Sequence, residues 1–343
     1  MASSAHSASA GAAVRPTSVD NIDVSIVLTG RNDNYGGDFT VRCERALRFN
    51  WDNLSKAHVN AEVVFVEWNP VAHREYLVQE LERDLPEIPP VRFRRYVVDA
   101  GYQAACSLNV NLQYLEYVAK NVGVRRARGP FVLVTNTDIF FSRGVVEALA
   151  CSTLHTNVVY RAARIDLALG SDQSRVTWEG LDDANGHARR PTLKAPLYAG
   201  ASGDFMLAHR TVWHQLRGFN EVYRLARAGV DHNFLVKAYG CGYQIEDILS
   251  PVYHVNHEGS YRISKNVLEG SSAEGRWGKR QWPSRYVVYD NADSWGLAHA
   301  PVREIGGGAQ YLDFDWAAVP AVAELRRVVT PLRRAISTGA KSG

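Results

Sequence analysis

Three short runs of nearly unbroken apolar residues constrain this chain most: Asp23-Val-Ser-Ile-Val-Leu-Thr29, Ala61-Glu-Val-Val-Phe-Val-Glu67 and Phe131-Val-Leu-Val-Thr135. Each is too short for a buried helix and too continuous for a strand with one face in water. Each therefore reads as a central strand of a sheet covered on both faces. Between the first two, Phe39 to Ser55 carries apolar residues at helical spacing; a further strand is expected over Val91 to Val98, and Tyr114 to Val124 reads as a helix. Strands alternating with helices at this spacing predict an α/β fold with a mostly parallel sheet.

Composition narrows the function classes. Of 343 residues, 46% are hydrophobic and 22% charged, which suits a globular chain with a sizeable core. The net charge of +3 gives no field of the kind a dedicated nucleic-acid binder carries. No apolar run approaches the roughly 20 residues of a membrane-spanning helix. Cys43, Cys106, Cys151 and Cys241 form no CxxC pair, so neither a disulfide framework nor a structural zinc site is expected, and a cytoplasmic location is. Residues 1–21, Ala/Ser-rich and without a basic start followed by an apolar segment, read as a disordered tail. Residues 319–343 read as a basic tail, in which Glu324 to Ile336 offers spaced apolar residues for peripheral contact with the inner face of a membrane, though Pro331 interrupts it.

With no internal repeat and no dividing linker, residues 22–318 read as one domain: a nucleotide-binding type of α/β unit over 22–141, a second functional half over 142–258, and C-terminal loops over 259–318. In the second half, the polar stretch Arg164 to Ala199 reads as a long functional loop, and 259–310 as a second mobile one. Thr211 to Arg217 and Asp231 to Tyr239 read as helices, with Thr211 and Asp231 as N-caps.

In open α/β sheets ligands bind at the carboxyl ends of strands. That rule selects the loops Gly30-Arg-Asn-Asp-Asn-Tyr-Gly-Gly37, Glu67-Trp-Asn-Pro70 and Asn136-Thr-Asp138. None is a GxGxxG or GxxxxGK[ST] loop, so dinucleotide and P-loop phosphate binding are excluded. In the first, Arg31 and Asp33 suit a base or ribose. In the third, Asp138 sits between apolar segments, a costly place for a carboxylate unless a cation meets it. A divalent ion bridging it to a diphosphate would do so.

The order of several motifs carries a resemblance. Lys120-Asn-Val-Gly-Val-Arg-Arg-Ala127 followed by Gly129-Pro-Phe-Val-Leu-Val-Thr-Asn-Thr-Asp138 resembles the approach to the Asp-x-Asp motif of GT-A fold glycosyltransferases. Gly203-Asp-Phe-Met-Leu-Ala-His-Arg210, Gly218-Phe-Asn-Glu221, and Gly229-Val-Asp231 through Gly240-Cys-Gly-Tyr243 resemble the acceptor-side block of the same superfamily, nearest its family 2-like and polypeptide-GalNAc-transferase-like branches. The resemblance spans about Asp23 to Glu258. It implies a GT-A (Rossmann-like) sheet flanked by helices, with long acceptor-side loops, and transfer from a nucleoside-diphosphate sugar, a UDP-sugar favoured, to a glycan or lipid-linked acceptor.

Carried over residue by residue, it implies that Asp33, Glu67, Asn121 and Arg125 contact the nucleotide. Asp138 matches the metal-binding Asp, and Asn136 stands where the motif has its first Asp. Mn²⁺, or Mg²⁺, is the implied ion. Its second ligand comes from Tyr253-His-Val-Asn-His-Glu258. Two histidines three apart on a strand face opposite ways, so one is expected to reach the ion; the resemblance favours His257, with His254 as the alternative. Asp231 matches the general base of inverting members, although the preceding Glu is Val230 here. Asp204 is implied on the acceptor side; Trp277, Trp282 and Trp295 suit a lid that stacks on sugar. A retaining transferase and a non-catalytic glycan-binding protein on the same fold are the competing readings. A nucleotidyltransferase is disfavoured, because no Gly-rich loop with a Lys follows the first strand.

Overall fold

The computed structural model describes residues 22–85, 91–151, 153–167, 176–185, 193–222, 224, 229–255, 257, 288–320 and 324–326. The first half is built from β1 (Val24–Gly30), α1 (Phe39–Lys56), β2 (Ala61–Trp68), α2 (Leu77–Asp84), β3 (Arg92–Val98), α3 (Ala100–Cys106), α4 (Glu116–Arg126) and β4 (Phe131–Thr135). The chain continues through β5 (Ile139–Phe141), α5 (Arg143–Ala150), β6 (Val158–Arg161), β7 (Arg164–Leu167), α6 (Trp178–Asn185), β8 (Phe205–His209), α7 (Arg210–Gln215) and α8 (Val230–Gly240). It closes with β9 (Gln244–Asp247), β10 (Val252–Val255), β11 (Val288–Asp290), β12 (Val302–Ile305), β13 (Ala309–Leu312) and β14 (Glu324–Arg326).

Nine strands form the main sheet in the order β12-β13-β3-β2-β1-β4-β8-β6-β9. Its centre is parallel: β1 pairs with β2 on one side and β4 on the other, β2 with β3, and β3 with β13. The fold is thus mixed α/β, with the mostly parallel sheet that the apolar runs predict. Every residue of β1 and β2 is buried. Within β1, Val24, Ile26 and Leu28 enter the core shared with α1, whereas Val27 enters the core shared with α4, α7 and α8. A side chain with both alternatives buried explains the continuous apolar signal, and each fully buried Val contributes ~1.5–3 kcal/mol. Gly123 of α4 lies so close to Val27 that a Cβ would collide with it, which fixes how tightly this helix meets the sheet.

Two regions depart from the sequence reading. The stretch from Arg164, read as a loop, contains β7 and α6, and β7 joins a small sheet ordered β5-β10-β7. Its residues escaped notice because the strand is only half-buried and alternates polar with apolar. Similarly, part of the region read as mobile holds β11, β12 and the start of β13, with Trp295 and Leu297 in the main core. Two short helices, α2 and α3, went unread. Distant or local carboxylates cap them: Glu67 accepts from Val78 N at 3.1 Å, and Asp99 from Gly101 N at 2.7 Å. His209 and Gly229, not Thr211 and Asp231, are the N-cap residues of α7 and α8. Among the described residues no helix is long and apolar enough to cross a membrane. Residues 1–21, all of 259–287 with Trp277 and Trp282, and most of 319–343 lie outside the described residues.

Candidate active site

From β1 the chain runs outward to β2 and β3, then returns to place β4 on the other side of β1. A gap opens where the order reverses, beyond the carboxyl ends of β1 and β4. There lies a cleft of about 430 Å³ whose lining includes Arg31, Asp33, Tyr114, Asn136, Asp138, Arg164, Asp204, His254 and His257.

Strand register brings its deepest groups together. In the small sheet, His254 is paired with Ile139 of antiparallel β5 and with Asp166 of parallel β7. Since Asp138 immediately precedes β5, His254 lies beside it, with Nε2 3.6 Å from Asp138 Oδ2. On its other side, His254 Nδ1 meets Asp166 Oδ1 at 2.8 Å, which turns Nε2 toward Asp138. His257 Nε2 is 3.4 Å from the same Asp138 oxygen. Both histidines therefore converge, correcting the expectation that only one would. β10 ends at Val255, so His257 lies past the strand and its alternation no longer applies.

The three side chains are each buried, and their ligand atoms all lie within 4.8 Å of one another. One carboxylate and two imidazoles, one of them backed by a carboxylate, suit a transition-metal dication. Burial would raise the Asp138 carboxyl, but hydrogen bonds and charge from His254 and His257 hold it well below the usual carboxylate range. Burial would lower His254; Asp138 and Asp166 override it and carry the imidazole up to about 10.

Antiparallel pairing of Thr135 with Phe205 sets Asn136 opposite Asp204. Asn136 Nδ2 donates to Asp204 Oδ1 at 2.5 Å, and its Oδ1 accepts from Lys120 Nζ at 2.7 Å. Asp204 Oδ2 accepts from Arg164 Nη1 at 2.7 Å. Asn136 is thus a spoke between a lysine and a carboxylate; a second carboxylate here would face Asp204. Burial pushes Asp204 upward, opposed by Arg164. Every lining Arg is matched, Arg31 by Asp33 at 2.8 Å and Arg164 by Asp204 and by Asp166 at 3.2 Å, and Lys120 behind the wall bonds Glu116 at 2.6 Å.

The remaining sequence candidates are dispersed. Arg31 and Asp33 line the cleft, with Arg31 Nε donating to Asn69 O at 2.6 Å. Glu67 does not line it; buried at the start of α2, its carboxyl is pushed up by burial to about 7. Asn121 and Arg125 do not line it either. Asn121 is fully buried and exchanges bonds with Phe219 and Glu221, while the Arg125 guanidinium lies 4.8 Å from the centre of the Trp295 ring. Trp295, itself buried, is an anchor of the core and no lid residue. Asp231 stands just outside the lining, its Oδ2 accepting from Gly203 N at 2.9 Å. Sequence reasoning missed Asp166, Arg164 and Lys120. The Arg164-Ile-Asp-Leu167 alternation was the available signal for the first two.

No protein-family model matches the chain, and neither does any curated protein. Several solved structures overlap it in part. The mannosyltransferase PcManGT of Pyrobaculum calidifontis, in complex with GDP-Man and Mn²⁺, is 16% identical with a TM-score of 0.42, over 74% of this chain and 61% of that one. S. aureus TarS 1–349 in complex with UDP is 14% identical with a TM-score of 0.42, over 74% of this chain and 65% of its own. GalNAc-T7 with UDP, GalNAc and Mn²⁺ is 12% identical with a TM-score of 0.45, over 73% and 48% respectively. The chain thus spans between about half and two thirds of the length of these three.

Proposed function

We propose that the chain is a metal-assisted glycosyltransferase moving a sugar from a nucleoside-diphosphate sugar, with UDP-sugars the first donors to try, to a hydroxyl of a glycan or lipid-linked acceptor. One observation carries this reading: the cleft's arginines are already matched by carboxylates, while Asp138, His254 and His257 converge on one point. A diphosphate entering such a cleft needs positive charge beyond what Arg31 and Arg164 offer. Asp138, His254 and His257 would hold a divalent ion, Mn²⁺ favoured over Mg²⁺ by the imidazoles. Bound there, the ion supplies electrostatic stabilisation of the diphosphate as it leaves.

The chain's own groups supply the rest. In this reading Arg31 and Asp33, on the loop after β1, hold the nucleoside; their ion pair in the cleft lining supports it. Asp204 and Asn136 present oriented oxygens and an amide along the opposite wall, steadied by Arg164 and Lys120. Asp231 is the base in this reading, taking the acceptor hydroxyl's proton as the oxygen attacks the anomeric carbon with inversion. Its support is adjacency: it braces the amide of Gly203, next to Asp204.

Thermal unfolding against UDP, GDP, CDP and CMP, each with and without Mn²⁺, tests the proposal. A ligand at a hundredfold excess over its Kd stabilises by about 2.7 kcal/mol. The expected result is a Mn²⁺-dependent shift with one nucleoside diphosphate. No shift with any nucleotide, in well-folded protein, overturns the reading in favour of a glycan-binding protein.

A further inference from the structure

We infer that Arg42, a residue of α1 that does not line the cleft, is a positioning residue for His257 and couples the nucleoside loop to the metal ligands. The inference rests on reading Asp138, His254 and His257 as a metal site. The loop after β1 is folded around this guanidinium. Asn34, Gly36, Gly37 and Asp38 all take left-handed backbone, with φ of 56°, 69°, 72° and 49°. The resulting curl turns successive carbonyls inward. Arg42 Nη2 donates to Tyr35 O at 2.7 Å, and Nη1 donates to Gly36 O at 3.3 Å and also to Gly37 O. The arginine is buried; the three carbonyls stand in for part of the water its charge has lost, and the Asp138 and Asp38 carboxylates supply the opposing charge.

The surface of this clamped loop is what His257 rests on. The Tyr35 ring meets the imidazole edge-on, centroids 5.2 Å apart. At Gly36 a Cβ would collide with His257 Nδ1, so only glycine leaves room for the ring, and the positive φ demands glycine independently. With Nδ1 against the loop, Nε2 faces Asp138. His254 has Asp166 behind it. His257 lies past the end of β10 and has this loop as its backing. The same loop carries Asp33, whose Oδ1 accepts from Tyr35 N at 3.2 Å. A shift that loosens Tyr35 therefore reaches both the nucleoside contacts and the ligand imidazole, and binding at either end stiffens the other.

The test titrates Mn²⁺ into the full chain by competition with a coloured chelator, and records the visible absorption of the Co²⁺-loaded protein. Variants are Arg42→Met, Arg42→Lys, Gly36→Ala, His257→Ala and the double variant Arg42→Met/His257→Ala. Arg42→Met and Gly36→Ala should each weaken Mn²⁺ binding about 10- to 100-fold, the range expected when a ligand's support is removed. The Co²⁺ spectrum should change as it does in His257→Ala. Lysine, able to satisfy one or two carbonyls, should restore part of the loss. The double variant should bind no more weakly than His257→Ala alone. Gly36→Ala leaves the core intact and keeps the test decisive should Arg42→Met fail to fold. Unchanged Mn²⁺ affinity in folded Gly36→Ala, or additive losses in the double variant, overturns the inference. Wild-type protein that binds no Mn²⁺ overturns the metal reading instead.

Discussion

Two buried polar networks leave adjacent residues of the same helix and end in opposite characters. Lys120 of α4 points toward the cleft and starts a chain through Asn136, Asp204, Arg164, Asp166 and His254 to Asp138. Asn121, the next residue, points away into a buttress. There its amide bonds Phe219 and Glu221, and Glu221 accepts from Gly296 N at 2.9 Å, while Asn291 bonds Phe219 O at 2.5 Å. The cleft network runs between side chains and is rich in charge. The buttress network is closed largely by backbone groups. A single residue's step around the helix, about 100°, therefore separates the network that reaches the cleft from the one that holds the scaffold, although in the sequence they form a single motif.

The contrast sets the order of the expected effects. Asp138→Asn should abolish the Mn²⁺-dependent thermal shift and lower sugar transfer more than a hundredfold, about 3 kcal/mol or more in transition-state terms; retained metal dependence in a folded variant would remove Asp138 from the site. Asn121→Ala should act in the other currency, costing about 3 kcal/mol in urea unfolding because it strands buried partners, while the KM for donor stays within twofold. A raised KM at unchanged stability would break the comparison outright.

Glu221 sharpens it through pH. Burial pushes its carboxyl up to about 7 from an ordinary 4.5, so the folded chain holds a proton there that the unfolded chain releases earlier. Its contribution is present below pH ~4.5 and is lost as pH rises through about 7. Glu221→Gln should remove that decline, leaving the variant on the order of 2 kcal/mol better placed, relative to wild type, at pH 8 than at pH 5. Chemical denaturation at the two pH values measures it. Smallest is Asn136→Asp, which sets a second carboxylate against Asp204. Stability should fall by about 1 kcal/mol at neutral pH and recover when acid protonates the pair.

The central strands were legible because continuous burial leaves a continuous apolar trace, as in β1 and β2. The site was legible where a strand end delivered its residues directly: Arg31, Asp33 and Asp138. It was illegible where register did the work. Nothing near Asp166 in sequence announces His254; the two meet only because β7 and β10 run side by side. Asn121 misled for the converse reason. A buried amide satisfying Phe219 and an amide satisfying a nucleotide leave the same letter in the chain.

The small sheet also bears on how the molecule is made and unmade. Its strands β5, β10 and β7 come from widely separated stretches, and two of the three convergent ligand groups sit on or past β10. Long loops must close before β10 can dock, which predicts that this corner forms late in folding. Interactions absent from the folding barrier act on the rate of escape from the native state. An ion held by Asp138, His254 and His257 would leave the speed of folding nearly untouched and lengthen the lifetime of the folded chain.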